Sequence, residues 1–252
     1  LEKDNKNSSR MRKTMMAAVA VAIAGMACAE KVQAGEKVEA SVGADLVSRY
    51  VWRGQDLGGV SVQPTIELGW NGLSLSAWGS VGFTREDTEE IDLTLGYERG
   101  GFSVSVTDYW TNEGPGYFHY GARSTSHVFE AQVGYDFGWA ALNWYTNFAG
   151  GDGQTESGKR AYSSFLSVNV PFALAGIDWN VEAGAVPWAT DYYNATDEES
   201  SGANGFEVTE VSLQATKELP VTASFTLPVF ARVTWNPATE GAYFVFGLSL
   251  GF

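Results

Sequence analysis

The chain has 252 residues, a formal net charge of −14, 13% aromatic residues, 29 glycines and only 18% charged residues. An excess of carboxylates this large argues against nucleic acid as a partner, and a single cysteine, Cys28, argues against a disulfide framework or a thiolate metal site. The mean hydropathy of −0.13 does not exclude a membrane barrel, in which only alternate residues face lipid.

Residues 1–10 hold no methionine and precede Met11-Arg-Lys-Thr, so they read as upstream or vector-derived. From Met11 the pattern is that of a secretory signal peptide over residues 11–34: a basic start, an apolar run Met15–Ala29, then small residues. Cleavage is expected after Ala29 or after Ala34. The apolar run meets Glu30 and Lys31 after 15 residues and is too short to span a bilayer as a helix. Lipid attachment at Cys28 is disfavoured, because Gly25 stands where that signal prefers a leucine-like residue. Residues 35–252 are left as one β domain.

Alternation of apolar and polar side chains marks strands, whose successive residues point to opposite faces. The first predicted strand, Val38 to Trp52, sets Val38, Ala40, Val42, Ala44, Leu46, Tyr50 and Trp52 against Glu39, Ser41, Asp45, Arg49 and Arg53. After a turn at Gln55–Gly59, Val60, Val62, Ile66, Leu68 and Trp70 share one face and Ser61, Gln63, Thr65 and Glu67 the other, with a bulge expected at Pro64. Asn71-Gly72 is a two-residue hairpin signal, since both positions tolerate positive φ. Further strands follow around Leu73–Phe83, Ile91–Tyr97, Phe102–Trp110, Phe129–Phe137, Ala140–Phe148, Tyr162–Val170, Ile177–Ala185, Val211–Ala215 and Val221–Trp235, with a turn at Glu218–Pro220 before the last. The twelfth runs from Ala242 to the terminal Phe252.

Connections after odd-numbered strands are the longer kind, notably Thr111–Thr125, Ala149–Lys159 and Ala189–Gly205, and the rest are tight. An even strand number with short turns on one rim and long loops on the other predicts an all-β, antiparallel transmembrane barrel of twelve strands, both termini periplasmic. Aromatics on the apolar face gather at two heights, with Tyr50, Trp52, Trp110 and Trp235 at the loop end and Trp70 and Trp179 at the turn end, as bilayer interfaces favour. A soluble sandwich or lipocalin-like barrel has no cause to sort aromatics by height. Gly247-x-x-Leu250-x-Phe252 resembles the C-terminal assembly signal of bacterial outer-membrane proteins. That resemblance implies the barrel assembly machinery as a partner, beside outer-membrane lipid and lipopolysaccharide.

Catalytic and metal signals are weak. His119 reads as an exposed loop histidine, and His127 falls on the lipid-facing side near the outer interface. An outer-membrane phospholipase pairs a histidine and a serine two residues apart there, but the residues two away from His127 are Thr125 and Phe129, and Ser126 points to the opposite face. Gly153 to Lys159 nearly spells a phosphate-binding loop, with Arg160 in place of the required Ser or Thr and no helix to follow. Asp191, Asp197, Glu198 and Glu199 could hold a divalent cation, although such a run without glycine-pivoted spacing is usually solvated. No cofactor is expected and no enzyme activity.

Leu46-Val-Ser-Arg-Tyr-Val-Trp-Arg-Gly54, Gln63-Pro64, Trp78-Gly79-Ser80 and Glu90-Ile-Asp-Leu93 with Gly96-Tyr97 together resemble the TorF-type outer-membrane porin family over roughly residues 44–110. The Gln63-Pro64 order departs from that family's pattern. The resemblance implies a pore-forming outer-membrane barrel of a Gram-negative bacterium, with no substrate named. Our reading is therefore a small, weakly cation-preferring diffusion channel for polar solutes. The alternative is a closed-lumen structural or adhesive barrel, and an outer-membrane hydrolase is less favoured. Arg49, Arg53 and Arg232, with Tyr243 between them, are expected to form a basic strip facing Asp92 and Glu130 across the lumen. Asp45, Glu67 and Glu182 are further inward candidates. The competing expectation is that the arginines merely neutralise buried carboxylates.

Overall fold

The computed structural model describes residues 38–84, 87–121, 124–193, 202–222 and 225–251. The expected signal peptide with its expected cleavage sites, Asp197, Glu198, Glu199 and Phe252 lie outside them. Among the described residues the period-two pattern yields fourteen strands: β1 (Glu39–Val47), β2 (Tyr50–Trp52), β3 (Gln55–Gly58), β4 (Ser61–Trp70), β5 (Leu73–Gly82), β6 (Glu90–Arg99), β7 (Phe102–Thr111), β8 (His127–Asp136), β9 (Ala141–Gly150), β10 (Ser164–Leu174), β11 (Ile177–Val186), β12 (Glu207–Thr222), β13 (Phe225–Asn236) and β14 (Gly241–Gly251). Twelve of them close an antiparallel barrel by sequential pairing, and β1 seals the ring against β14 with Leu46 opposite Leu248 and Ala44 opposite Leu250. Closure leaves no unpaired edge on the long apolar terminal strand. The described residues contain no helix.

The apolar faces point outward. Leu75, Leu95, Val133, Val233, Phe244 and Phe246 are each at least 50% exposed. Inward faces are polar and bond across neighbouring strands, as with Thr94 and Thr107 at 2.9 Å and Gln132 with Ser103 and Asn143, both at 3.1 Å. Asn71-Gly72 makes the expected turn, with φ of 50° and 83° between the paired Trp70 and Leu73.

Four expectations change. The first strand ends at Val47, where Ser48 bonds back to Phe246 of β14, and the chain then turns inward as the separate hairpin β2–β3. Continued alternation through Tyr50 and Trp52 had hidden that break. Pro64 interrupts the β4–β5 ladder between the Val62–Val81 and Thr65–Trp78 pairs without changing register, so no bulge forms. Glu218–Pro220 lies inside β12 and not in a turn, because Glu218, Leu219 and Pro220 pair with Pro228, Leu227 and Thr226. Lastly, the connection 237–240 after β13 is no longer than the tight 137–140 connection after β8, an exception to the alternation of loop lengths.

The compact core lies at the loop-side mouth. Phe165, Val186, Tyr193 and Ala203 are buried together there, and Trp52, Tyr145, Tyr192 and Ala238 pack around them. They come from the hairpin, from strands β9 to β11 and from the connections after β11 and β13.

Candidate functional site in the barrel lumen

Hairpin β2–β3 reverses at Arg53-Gly54, with φ of 49° and 76° and Trp52 paired to Gln55. Its Gly54 is required twice over. The positive φ suits glycine, and a Cβ there would run into the Thr209 carbonyl of β12. Asn236 Nδ2 on β13 donates to the Gly54 carbonyl at 3.1 Å. At the hairpin's root, Tyr50 meets the Trp78 ring at 5.5 Å and donates to Glu90 at 2.9 Å.

Arg53 holds the tip. Its guanidinium donates to both carboxylate oxygens of Glu130, at 2.5 and 2.8 Å, and to the Tyr193 hydroxyl at 2.7 Å. It also lies over the rings of Trp52, Tyr145 and Phe165, at 4.3, 4.2 and 4.9 Å. Bidentate pairing with stacking is the geometry in which arginine is held most firmly. Glu130 sits on β8, five places round the twelve-strand ring from β1 by the shorter path, so the hairpin reaches nearly to the opposite wall. Tyr109 of β7 donates to the same carboxylate at 2.9 Å. Burial pushes the Tyr193 phenol well above its ordinary value, against the pull of Arg53, so the phenol stays neutral and accepts from the guanidinium.

The second inward arginine, Arg232 on β13, is also neutralised locally. It contacts Glu210 and Ser212 of β12 and Glu182 of β11. Asp45, Glu67, Asp92, Glu130, Glu182 and Tyr243 all lie on the inner face in the observed register. The structure does not bring the three arginines into one strip. Arg49 points away, exposed, and pairs with Asp56 of the hairpin's second arm; Arg53 crosses the lumen; Arg232 stays on its own wall.

The aromatics separate likewise. Trp70 and Trp235 stand exposed on the outer face, and outward Trp179 stacks on Phe172. Tyr50 and Trp52 are inside the barrel and not at an interface, because the first strand ends before them. Trp110 is buried beneath the loop after β7, its indole donating to the Pro115 carbonyl at 3.1 Å. At the terminal strand, Gly247 faces inward beneath the Phe230 ring, whose edge fills the space of a side chain, and Leu250 faces outward opposite Ala44.

His127 is not exposed to lipid. The loop after β7 folds over it, with Tyr120 stacked 4.0 Å from its ring. Nδ1 lies 2.7 Å from Asp108 Oδ1 and Nε2 lies 2.6 Å from the Tyr117 carbonyl. Both nitrogens are thus taken by acceptors, and neither faces a hydroxyl that it could activate. His119 is exposed and lies 3.1 Å from Ser124. The segment Gly153 to Lys159 forms a small loop closed by a Gln154–Arg160 bridge. Asp191 accepts from the Gln154 amide, and no group of potential metal ligands occurs among the described residues.

Sequence reasoning missed Tyr193, Asp108 and the inward role of Trp52. Two adjacent tyrosines, Tyr192 and Tyr193, in an otherwise polar loop were one available signal. Asp108 on an apolar strand face was another, since a carboxylate there needs a partner.

No family model matches the chain, and no curated protein matches it. Among solved structures, the NanC porin is similar over 84% of this chain and 98% of that one, at 8% identity and a TM-score of 0.44. A second, from work described as "Unveiling the Mechanism Behind the in-meso Crystallization of Membrane Proteins", covers 86% of this chain and 83% of its own, at 7% identity and a TM-score of 0.45.

Proposed function

We propose that this chain is an outer-membrane channel for small polar solutes, cation-preferring and narrowed at its loop-side mouth by hairpin β2–β3. The observation that carries this reading is the division of the barrel wall. Large apolar side chains stand exposed all round the outside, where lipid would cover them. The inside is lined with hydroxyls, amides and more carboxylates than arginines. Intramembrane charges on an inner wall commonly mark a solute path. Membrane lipid, lipopolysaccharide and the assembly machinery are partners within the same proposal.

Single-channel recording in a planar bilayer tests it. The native barrel is expected to give small, cation-selective conductance, and Arg53→Ala to enlarge it by releasing the hairpin tip. The second reading, a closed structural barrel, is favoured by the hairpin's contacts with β5, β6, β8, β12 and β13 around the mouth. Absence of conductance in both the native barrel and Arg53→Ala would decide for it.

A further inference from the structure

Beside the hairpin lies a cavity of about 450 Å³, closed by the outer ends of β6 and β7 and the loops above them. Three of its walls are aromatic: Trp52 of the hairpin, Tyr109 of β7 and Tyr192 of the loop after β11. Among the described residues its charged lining consists of Glu90 and Glu113, with no basic residue. The nearby arginines are already engaged, Arg53 by Glu130 and Arg49 by Asp56. Glu113 is positioned from below by the Thr88 hydroxyl, which donates to it at 3.1 Å, and Glu90 by Tyr50 at 2.9 Å. One step further along the same inner face, Asp92 is buried and its Oδ1 has no hydrogen-bond donor among the described residues. The region therefore carries carboxylates beside aromatic rings, one of which, Trp52, already takes a cation, the Arg53 guanidinium, at 4.3 Å.

Aromatic rings attract cations through their quadrupoles, best where water is excluded, and carboxylates supply the countercharge. A hydrated metal ion would find no use for three rings, whereas an alkylammonium presents both apolar surface and charge. We propose that this cavity binds small organic ammonium ions, with Glu90 and Glu113 as counter-ions and Trp52, Tyr109 and Tyr192 as the cage. The site deepens the channel reading by naming a solute class, but binding here does not require conduction. Because Trp52, Gln55 and Leu57 of its lining belong to the hairpin, an occupant rests directly on the element that narrows the mouth.

Calorimetric titration of the full-length folded barrel in detergent tests the site independently of pore function. Tetramethylammonium is expected to bind saturably, and 3,3-dimethylbutan-1-ol, which presents a neutral tert-butyl group of similar size, at least about tenfold more weakly, about 1.4 kcal/mol. Glu113→Gln and Trp52→Leu should each lower ammonium affinity about fivefold or more, while Glu98→Gln at the far rim leaves it unchanged. Heat-modifiable gel mobility confirms that each variant is folded. Equal binding of the charged and neutral probes, no saturable binding of tetramethylammonium, or full affinity in folded Glu113→Gln and Trp52→Leu would each overturn the proposal. Conductance without ammonium binding would remove the site and leave the channel; binding without conductance would do the reverse.

Discussion

Arg53 organises the loop-side mouth, because one guanidinium ties the hairpin to β8 and to the loop after β11. Removing one member of a buried charge pair strands the other, at a cost of about 3–5 kcal/mol, whereas replacing both with apolar groups can be neutral. Arg53→Ala should therefore lower the midpoint of the thermal mobility shift more than the double replacement Arg53→Met with Glu130→Leu. A double variant as unstable as the single one would show that the pair contributes more than mutual neutralisation. Arg53→Lys should behave nearly as badly as alanine, since a lysine cannot grip both carboxylate oxygens. This inward position was legible in the sequence, where Arg53 alternates with apolar neighbours; its partner was not. The lone inner-face parity placed Glu130 inside, but only the strand order brings β8 opposite the hairpin, and that is a property of the closed ring.

At the scale of elements, the twelve wall strands were readable because outward apolar and inward polar residues alternate, while the hairpin was not. Tyr50 and Trp52 keep the rhythm of β1 although the chain has already left the wall, so period-two patterning cannot tell a continuing strand from a new one. Proline misled for a related reason: Pro64 leaves the register unchanged and Pro220 stands at a register shift, and in both places the sheet continues. The tip tests the hairpin as a unit. Gly54→Ala places a methyl group against the Thr209 carbonyl at a positive φ, so the turn must withdraw from β12 while the barrel stays closed. Larger conductance with unchanged heat-modifiable mobility is the expected result; unchanged conductance would mean that the hairpin does not limit the path. The loop after β7 is pinned differently, from outside the wall. His127→Ala deletes its contacts to Asp108 and Tyr117 and leaves a carboxylate short of a partner, costing about 1–3 kcal/mol. Limited proteolysis should then cut within residues 112–126 faster than in the native protein, and an unchanged rate would make the imidazole dispensable to that loop.

For the whole molecule the decisive properties are charge and direction. With Arg49 paired to Asp56, Arg53 to Glu130 and Arg232 to Glu182 and Glu210, the remaining carboxylates set the mean field along the proposed path, so cations are the expected carriers. Arg49→Ala should leave the reversal potential alone, whereas Arg232→Ala, which frees Glu182 and Glu210, should move it toward the cation limit. A shift with Arg49→Ala and none with Arg232→Ala would mean that the path runs outside this lumen. Direction follows from the two rims. One carries the tight turns at 71–72, 100–101 and 175–176; the other carries the long connections at 112–126, 151–163 and 187–206, together with the inserted hairpin. Short turns on the periplasmic side and long loops outside are the rule for such barrels, which would turn the hairpin-filled, carboxylate-lined mouth toward the medium and both strand termini inward. Protease added to intact cells should then cleave within 187–206 or 112–126 and spare Asn71-Gly72, a tight two-residue turn on the sheltered rim. Permeabilising the outer membrane should add no cut in the two long loops, because they were accessible from the start. Cleavage at Asn71-Gly72 in intact cells, with the long loops protected until permeabilisation, would reverse the barrel and put the ammonium-binding mouth on the periplasmic side.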